Sequence, residues 1–184
     1  MLVDLRLIID TGRDRNSNMT DWVKKAAQDA RERSARAREE GEHARLDAEA
    51  VRIQAPRIWD DLQKELQARV QEFNAEFADS LLGTPVSFGL QNSRRVMIST
   101  AYKQPNGSYV SISILFEPDK QAVEFKVNDS ENRLKSTRPP NSLYFKAFNN
   151  GSVSLVGGDR VFTAPAIAEM VSKLVFGCVE LMSP

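Results

Sequence analysis

Residues 56–82 read PRIWDDLQKELQARVQEFNAEFADSLL, and this stretch decides the fold. Its large apolar residues recur every three or four positions, which places them on one stripe of a helix. They are Leu62, Leu66, Val70, Phe73, Phe77 and Leu81. Several of them repeat after eleven residues, a period close to that of a straight helix. Because large side chains on one stripe need a core, we expect this helix to dock on a globular domain.

The preceding residues continue the helical pattern but form a charged arm, residues 19–55, with small residues on its regular stripe. We define a small-residue seam whose members alternate steps of four and three, as in a heptad repeat. It consists of Ala30, Ser34, Ala37, Gly41, Ala44, Ala48 and Val51. Opposite charges four residues apart, such as Asp29 with Arg33 and Glu32 with Arg36, are each expected to stabilise a solvated helix by about 0.2–0.5 kcal/mol. The small-residue seam is the candidate interface.

Pro56 separates the two helical patterns. Within a helix, proline removes a hydrogen bond and clashes with the preceding turn, at a cost of about 3 kcal/mol. At the start of a new helix it costs little, and Asp60 and Asp61 would then lie favourably near a helix N-terminus. The sequence therefore predicts either a kink or a short break near Pro56.

Residues 1–18 mix apolar and charged residues and have two interpretations. The apolar run is too short and too charged for a signal peptide or a membrane span. It could form a short strand or a loosely ordered extension, since Thr20 or Asp21 after Met19 would cap the following helix. The expected organisation is an extension (1–18), the charged arm (19–55) and a globular domain (56–184).

From Pro85 onward the apolar period changes from helical to two. Alternating runs end at turn sequences such as Glu117–Lys120 and Asn149–Gly151, which predicts an antiparallel meander of about six strands. The runs of one face include Val86 and Phe88, Val96 and Ile98, Ile112 and Ile114, Val123 and Phe125, Leu143 and Phe145, and Val153 and Leu155. The other face carries many small residues, among them Ser87, Ser99, Ser111, Ser113 and Ser154. This second face could meet solvent or be covered by another sheet or helix.

The last element begins at Thr163, a suitable N-cap, with Pro165 in the first turn. Its apolar residues, at helical steps, are Ile167, Val171, Leu174, Cys178 and Leu181. We expect this helix to pack on the apolar face of the sheet. The fold class is therefore α+β: a long N-terminal helix, an antiparallel meander and a C-terminal helix.

Composition restricts the possible partners. The formal net charge is zero, whereas nucleic-acid and membrane-surface proteins usually carry a basic excess. We therefore expect neither nucleic acid nor membrane as a partner. The single cysteine, Cys178, excludes an intramolecular disulfide and fits a reducing compartment, so the expected location is cytoplasmic.

Residues that carry chemistry do not form a recognisable set. His43 is the only histidine, so the chain has no His/Cys metal set and no Ser–His or Cys–His nucleophile pair. Gly157–Arg160 follows a strand and lacks the spacing and lysine of a phosphate loop, which indicates a tight turn. The charged segment 128–142 is interpreted as a surface loop, with a phosphate or acidic-partner site as the alternative. We predict no catalytic residue, cofactor or metal.

Two functions remain open. A helix over residues 20–55 would be about 50 Å long, whereas a body of about 100 residues has a radius of gyration of about 13 Å. Such a body cannot cover the arm, which favours a non-catalytic assembly module that pairs with a second copy or another protein through residues 19–55. The alternative is a small-molecule-binding or enzymatic domain with a pocket between sheet and helices.

Overall fold

The computed structural model describes the backbone of residues 11–76, 86–100, 110–129 and 139–180, and the side chains of these ranges except 11–20 and 177–180. Expectations about residues 1–10 and 130–138, about Phe77, Leu81 and Leu181, and about the side chain of Cys178 lie outside the described residues. The described part of the expected extension, residues 11–18, is helical, so α1 begins before the expected cap at Thr20 or Asp21. The described part contains two helices and seven strands. In chain order they are α1 (Thr11–Glu76), β1 (Val86–Asn92), β2 (Arg95–Thr100), β3 (Val110–Glu117), β4 (Ala122–Asp129), β5 (Ser142–Ala147), β6 (Val153–Gly157), β7 (Arg160–Phe162) and α2 (Ala164–Glu180).

The chain divides into two compact units, Met1–Leu46 and Asp47–Pro184. The predicted boundary between arm and globular domain, at 55/56, lies within the second unit. Val51 and Ala55 are 3% and 5% exposed and belong to the core of that unit. The last two turns before Pro56 are therefore part of the globular body.

The predicted α+β class, with an antiparallel meander, is confirmed. Each strand pairs antiparallel with its neighbours in sequence, so the strand order is β1-β2-β3-β4-β5-β6-β7. The described strands number seven rather than about six, because the three residues of β7 pair with β6. Gly158 forms the turn between them at φ +61°, a left-handed conformation that glycine adopts without steric cost.

The alternation along the strands assigns the two faces as predicted. Ile112 and Ile114 are fully buried, whereas Ser113 between them is only partly buried. The register Ile98↔Ile112 and Ile114↔Phe125 continues this apolar face across β2, β3 and β4. We call the opposite face, which includes Ser113, the outer face. Both helices contribute to the core on the apolar face.

Helix α1 crosses the apolar face of the sheet. Gln54 Nε2 donates a hydrogen bond of 2.8 Å to the Gly151 carbonyl beside β6, and twenty residues later Asn74 binds the main chain of Val86 at β1. At 1.5 Å per residue this part of the helix is about 30 Å long. Five strand spacings of about 4.8 Å span a similar distance. The apolar stripe of α1 is therefore long enough to cover most of the strands.

The helix continues through Pro56, so the predicted break does not occur. Proline costs about 3 kcal/mol inside a helix. The residues on either side compensate, since Val51 and Ala55 before it and Trp59 and Leu62 after it are all buried in one core. The kink remains a prediction.

Helix α2 packs on β2 and β3, as expected for a helix on the apolar face. Thr163 caps it: its Oγ1 accepts a hydrogen bond of 3.4 Å from the Ala166 amide. Ile167 and Val171 on its apolar stripe are fully buried. The stripe positions of this helix were therefore predicted correctly as far as Leu174.

Candidate functional sites

The helical segment 21–46 of the first unit exposes nearly every side chain to solvent. Ala26 is partly buried, and the other residues of the segment are exposed. Three of them are large and apolar: Trp22 is 69% exposed, Val23 53% and Leu46 59%. The segment therefore presents side chains that are available to a partner over its whole length.

The small-residue seam is divided between the two units. Ala30, Ser34, Ala37, Gly41 and Ala44 lie in the first unit and are exposed, and Ala48 is exposed in the second. Val51 is 3% exposed in the core of the second unit, so it is not available to a partner and is not retained in the proposed interface. A Cβ atom added at Gly41 would have no neighbouring heavy atom of the described residues within 4 Å.

The charges along segment 21–46 make local contacts that differ from the predicted ion pairs. The Arg33 side chain donates to the main-chain carbonyl of Asp29 at 3.2 Å rather than pairing with its carboxylate. Glu32 accepts a hydrogen bond from Gln28 at 3.1 Å. Neither contact neutralises a charge. The basic and acidic groups of this segment therefore remain available for pairing with another molecule.

A groove of about 630 Å³ lies between the end of α1 and the end of α2 in the second unit. Its aromatic wall is formed by Phe73 and Phe176, whose rings stack with centroids 3.9 Å apart. Four of the five charged side chains in its described lining form ion pairs: Arg69 with Glu72 at 3.2 Å, and Lys173 with Glu169 at 2.6 Å. The fifth is Glu76.

The hydrogen bond from Lys173 holds the pKa of Glu169 below its ordinary value. After this pairing Glu76 is the one charged group of the described lining without an ion pair among the described residues, so the described groove carries a net negative charge. It could accept an apolar or aromatic group, but it offers no acid–base pair with separated roles.

The predicted space between sheet and helices is filled by apolar side chains. Trp59, Leu62 and Leu66 of α1 enter the same core as Ile112 and Ile167. Over the described residues, no three His, Cys, Asp or Glu side chains are placed to hold a metal ion. Among the helices in the described part of the chain, none is long and apolar enough to cross a membrane.

The outer face carries polar residues that sequence reasoning did not single out as a site. Ser87 and Ser99 lie opposite each other on β1 and β2, with their hydroxyl oxygens 2.6 Å apart. Arg95 lies further along β2, where its side chain is partly buried. An arginine at a strand end has no distinguishing sequence pattern, so only the packing of neighbouring strands could reveal its environment.

Comparison with known proteins finds no matching family model, no matching curated protein and no matching solved structure.

Proposed function

We propose that this protein is a non-catalytic assembly module whose N-terminal helical segment pairs with the same segment of a second copy. The pairing surface is the exposed part of the small-residue seam: Ala30, Ser34, Ala37, Gly41, Ala44 and Ala48. Self-association in a reducing compartment such as the cytoplasm is in keeping with the single cysteine.

One observation carries the proposal: the side chains of residues 21–46 are exposed, apart from the partly buried Ala26. Most helices of globular proteins gain their stability by packing an amphipathic face. Trp22 and Val23 add large apolar surface at the start of the segment. Pairing with a second copy would bury part of this surface.

Small side chains favour close approach of two helices. Val23 and Ala27 continue the steps of four and three that lead to Ala30, so the pattern extends over most of the segment. Helix axes approach to about 8–10 Å depending on the side chains at the contact, and alanine or glycine permits the lower end. Alanine buries little apolar area, so each layer contributes modest stabilisation and we expect a reversible dimer.

The charges beside the seam favour a parallel pair. The residue after each of Val23, Ala30, Ala37 and Ala44 is basic; these residues are Lys24, Arg31, Arg38 and Arg45. In an antiparallel pair this basic row would face the same row of the second copy. In a parallel pair it faces the residues that precede the other seam positions. Arg45 then meets Glu40 of the second copy, Arg31 meets Ala26, and Arg38 meets Arg33, so only one like-charge contact arises among these three.

A matched pair of arginine substitutions tests the interface. Ala37→Arg places a charge in the seam, whereas Ala35→Arg makes the same change on the exposed helix outside it. Light scattering of the full chain at high micromolar concentration should give a dimer for the parent and for Ala35→Arg, and a shift toward monomer for Ala37→Arg. A strictly monomeric parent would refute self-association and direct attention to another protein as the partner of the arm.

Cysteine cross-linking tests the orientation. In a Cys178→Ser background, Ser34→Cys and Ala44→Cys are prepared separately and oxidised. A parallel pair brings each new cysteine next to its own copy, within the few ångströms that a disulfide requires. Both variants should therefore form covalent dimers. An antiparallel pair cannot bring both positions next to themselves, so the absence of cross-links from at least one variant in a dimeric protein would contradict the parallel arrangement.

The groove with the Phe73–Phe176 wall supports the second candidate function, binding of a small apolar or aromatic molecule. A thermal-shift screen against aromatic metabolites tests it. A reproducible stabilisation that is lost in Phe176→Ala, and retained in a variant outside the groove such as Val161→Ala, would favour this function.

A further inference from the structure

The guanidinium of Arg95 contains a buried nitrogen that lacks a hydrogen-bond partner. Its Nε is inaccessible to solvent and is the one such orphaned side-chain atom among the described residues. Arg95 also forms no ion pair with the carboxylates of this described part. An unsatisfied buried polar group is unfavourable, and a bound ion or water is one of the explanations for such a group in a folded protein.

The sheet register shows which residues lie near this arginine on the outer face. On the outer face, Arg95 of β2 lies opposite Leu115 of β3, and Leu115 in turn lies opposite Glu124 of β4. Strand β5 begins at Ser142, opposite Glu124, whereas β4 continues to Asp129. Beyond Glu124, β4 therefore has no register partner on β5 among the described residues, and we call this position, where β5 starts, the step.

A cavity of about 370 Å³ lies at this step. Its polar lining consists of Arg95, Ser113, Glu124, Lys126, Asn141 and Ser142. The two cations are on separate strands, β2 and β4, and Ser113 lies between them because it pairs with Lys126 in the register. Hydroxyl and amide groups on both sides of the step can donate further hydrogen bonds.

The charge balance of the described residues that line the cavity is positive. The one carboxylate among its described lining residues, Glu124, accepts a hydrogen bond of 2.8 Å from Lys120, which raises the pKa of that lysine. Glu124 is therefore already paired, and the charges of Arg95 and Lys126 are not balanced within the cavity. A single paired carboxylate is also a poor basis for a cation site, which needs several oxygen ligands.

We propose that this cavity on the outer face binds a small molecule through an oxyanion, either a carboxylate or a phosphate. Arginine presents several donors in a planar fork that matches both groups, and hydrogen bonds to charged partners are stronger than neutral ones. Arg95 is the principal anion-binding residue and Lys126 the second cation. Ser113 and Ser142 supply neutral donors. This site is independent of the assembly function of the N-terminal helix.

Titration of the full chain tests the site with defined probes. Sodium phosphate and sodium acetate are added separately at constant ionic strength, with chloride as the balancing anion. Binding is followed by the chemical shifts of the amides around Arg95 and Ser142. Saturable shifts at these amides with phosphate identify a phosphate site, and the same with acetate identifies a carboxylate site. Failure of both anions to produce saturable shifts there would overturn the proposal.

Three variants separate a specific site from general salt effects. Arg95→Gln should weaken binding by about tenfold or more, since one charge-assisted contact of this kind is removed. Arg95→Lys keeps the charge but loses the fork, and should recover only part of the affinity. Lys146→Gln removes a cation of β5 that does not line the cavity and should bind like the parent. Equal affinity for Arg95→Gln and the parent would contradict the assignment.

If Arg95→Gln is partly unfolded, a second variant tests the proposal. Glu124→Gln removes the one carboxylate among the described lining residues and leaves both cations, so it should bind the anion more tightly than the parent. Unchanged or weaker binding in a folded Glu124→Gln would be evidence against an anion at this position.

Discussion

Trp59 of α1 and Phe116 of β3 stack with their ring centroids 5.8 Å apart and their planes at 21°. The same tryptophan donates its indole N–H to the Ser93 carbonyl at 2.8 Å, at the turn between β1 and β2. Phe116 in turn meets Phe145 of β5 edge to face at 5.7 Å. Trp59 therefore contacts β3 and the turn between β1 and β2 directly, and it reaches β5 through Phe116.

Replacing Trp59 by alanine should destabilise the protein strongly. The residue is 1% exposed, and truncating a buried tryptophan typically costs about 3–5 kcal/mol. Urea unfolding followed by circular dichroism measures the change. Tyr144→Ala is the matched control, because Tyr144 is an aromatic residue outside the proposed interface that is 57% exposed, and its loss should change the free energy of unfolding by no more than about 0.5 kcal/mol. Similar losses for the two variants would contradict the account of the core.

Asn74 should protect the main chain of β1 from solvent exchange at the edge that does not pair with β2. Its Nδ2 donates to the Val86 carbonyl at 2.7 Å, and its Oδ1 accepts from the Val86 amide at 3.2 Å. Asn74→Ala leaves two main-chain groups without these partners and should cost about 1–3 kcal/mol. The Val86 amide should also exchange faster with deuterium. The exposed Gln71→Ala on the same helix should leave that amide unaffected; equal exchange in both variants would argue against this role.

The two faces of β3 should respond differently to truncation. Ile112 is fully buried on the apolar face, so Ile112→Ala should cost about 2–5 kcal/mol. Ser111 is 5% exposed on the outer face, yet its hydroxyl has no hydrogen-bond partner among the described residues. Ser111→Ala should therefore be close to neutral in chemical denaturation. If Ser111→Ala lowered the free energy of unfolding more than Ile112→Ala, the assignment of the two faces would be reversed.

Glu169 should titrate below its ordinary pKa of 4.5 because of its hydrogen bond to Lys173. A carboxyl group whose pKa is lowered in the folded state contributes stability above its unfolded pKa and loses that contribution as the pH falls through the folded value. Carbon-detected NMR titration measures this pKa directly. Lys173→Ala should raise it toward 4.5, whereas Lys64→Ala, which removes a lysine of α1 outside the groove, should leave it unchanged. No rise in Lys173→Ala would contradict the pairing.

The periodic parts of the fold could be predicted because each position repeats a local pattern. The stripe of Leu62, Leu66 and Val70 and the alternation around Ile112 both reflect one buried face per element. Thr163 was recognisable as a cap for the same local reason. Such features depend on neighbours within a few residues, which the sequence contains.

Features that depend on distant parts of the chain were missed. Val51 continues the seam of small residues, and only the position of the helix on the sheet places it in the core. The three residues of β7 are too few to form a pattern and become a strand by pairing with β6. Arg95 has no ion-pair partner among the described residues, and the cavity beside it is lined by residues from β2 to β5 that are far apart in the sequence. Each outcome is decided by tertiary contacts rather than by local propensity.

The oligomeric state of the full chain, compared with a chain that starts at Asp47, tests the central claim most directly. The shorter chain keeps the compact second unit and lacks most of the seam. Sedimentation equilibrium at high micromolar concentration should give about twice the 20.6 kDa chain mass for the full chain and a monomer for the shorter one. A monomeric full chain, or a dimer that survives the truncation, would contradict assembly through the N-terminal helix.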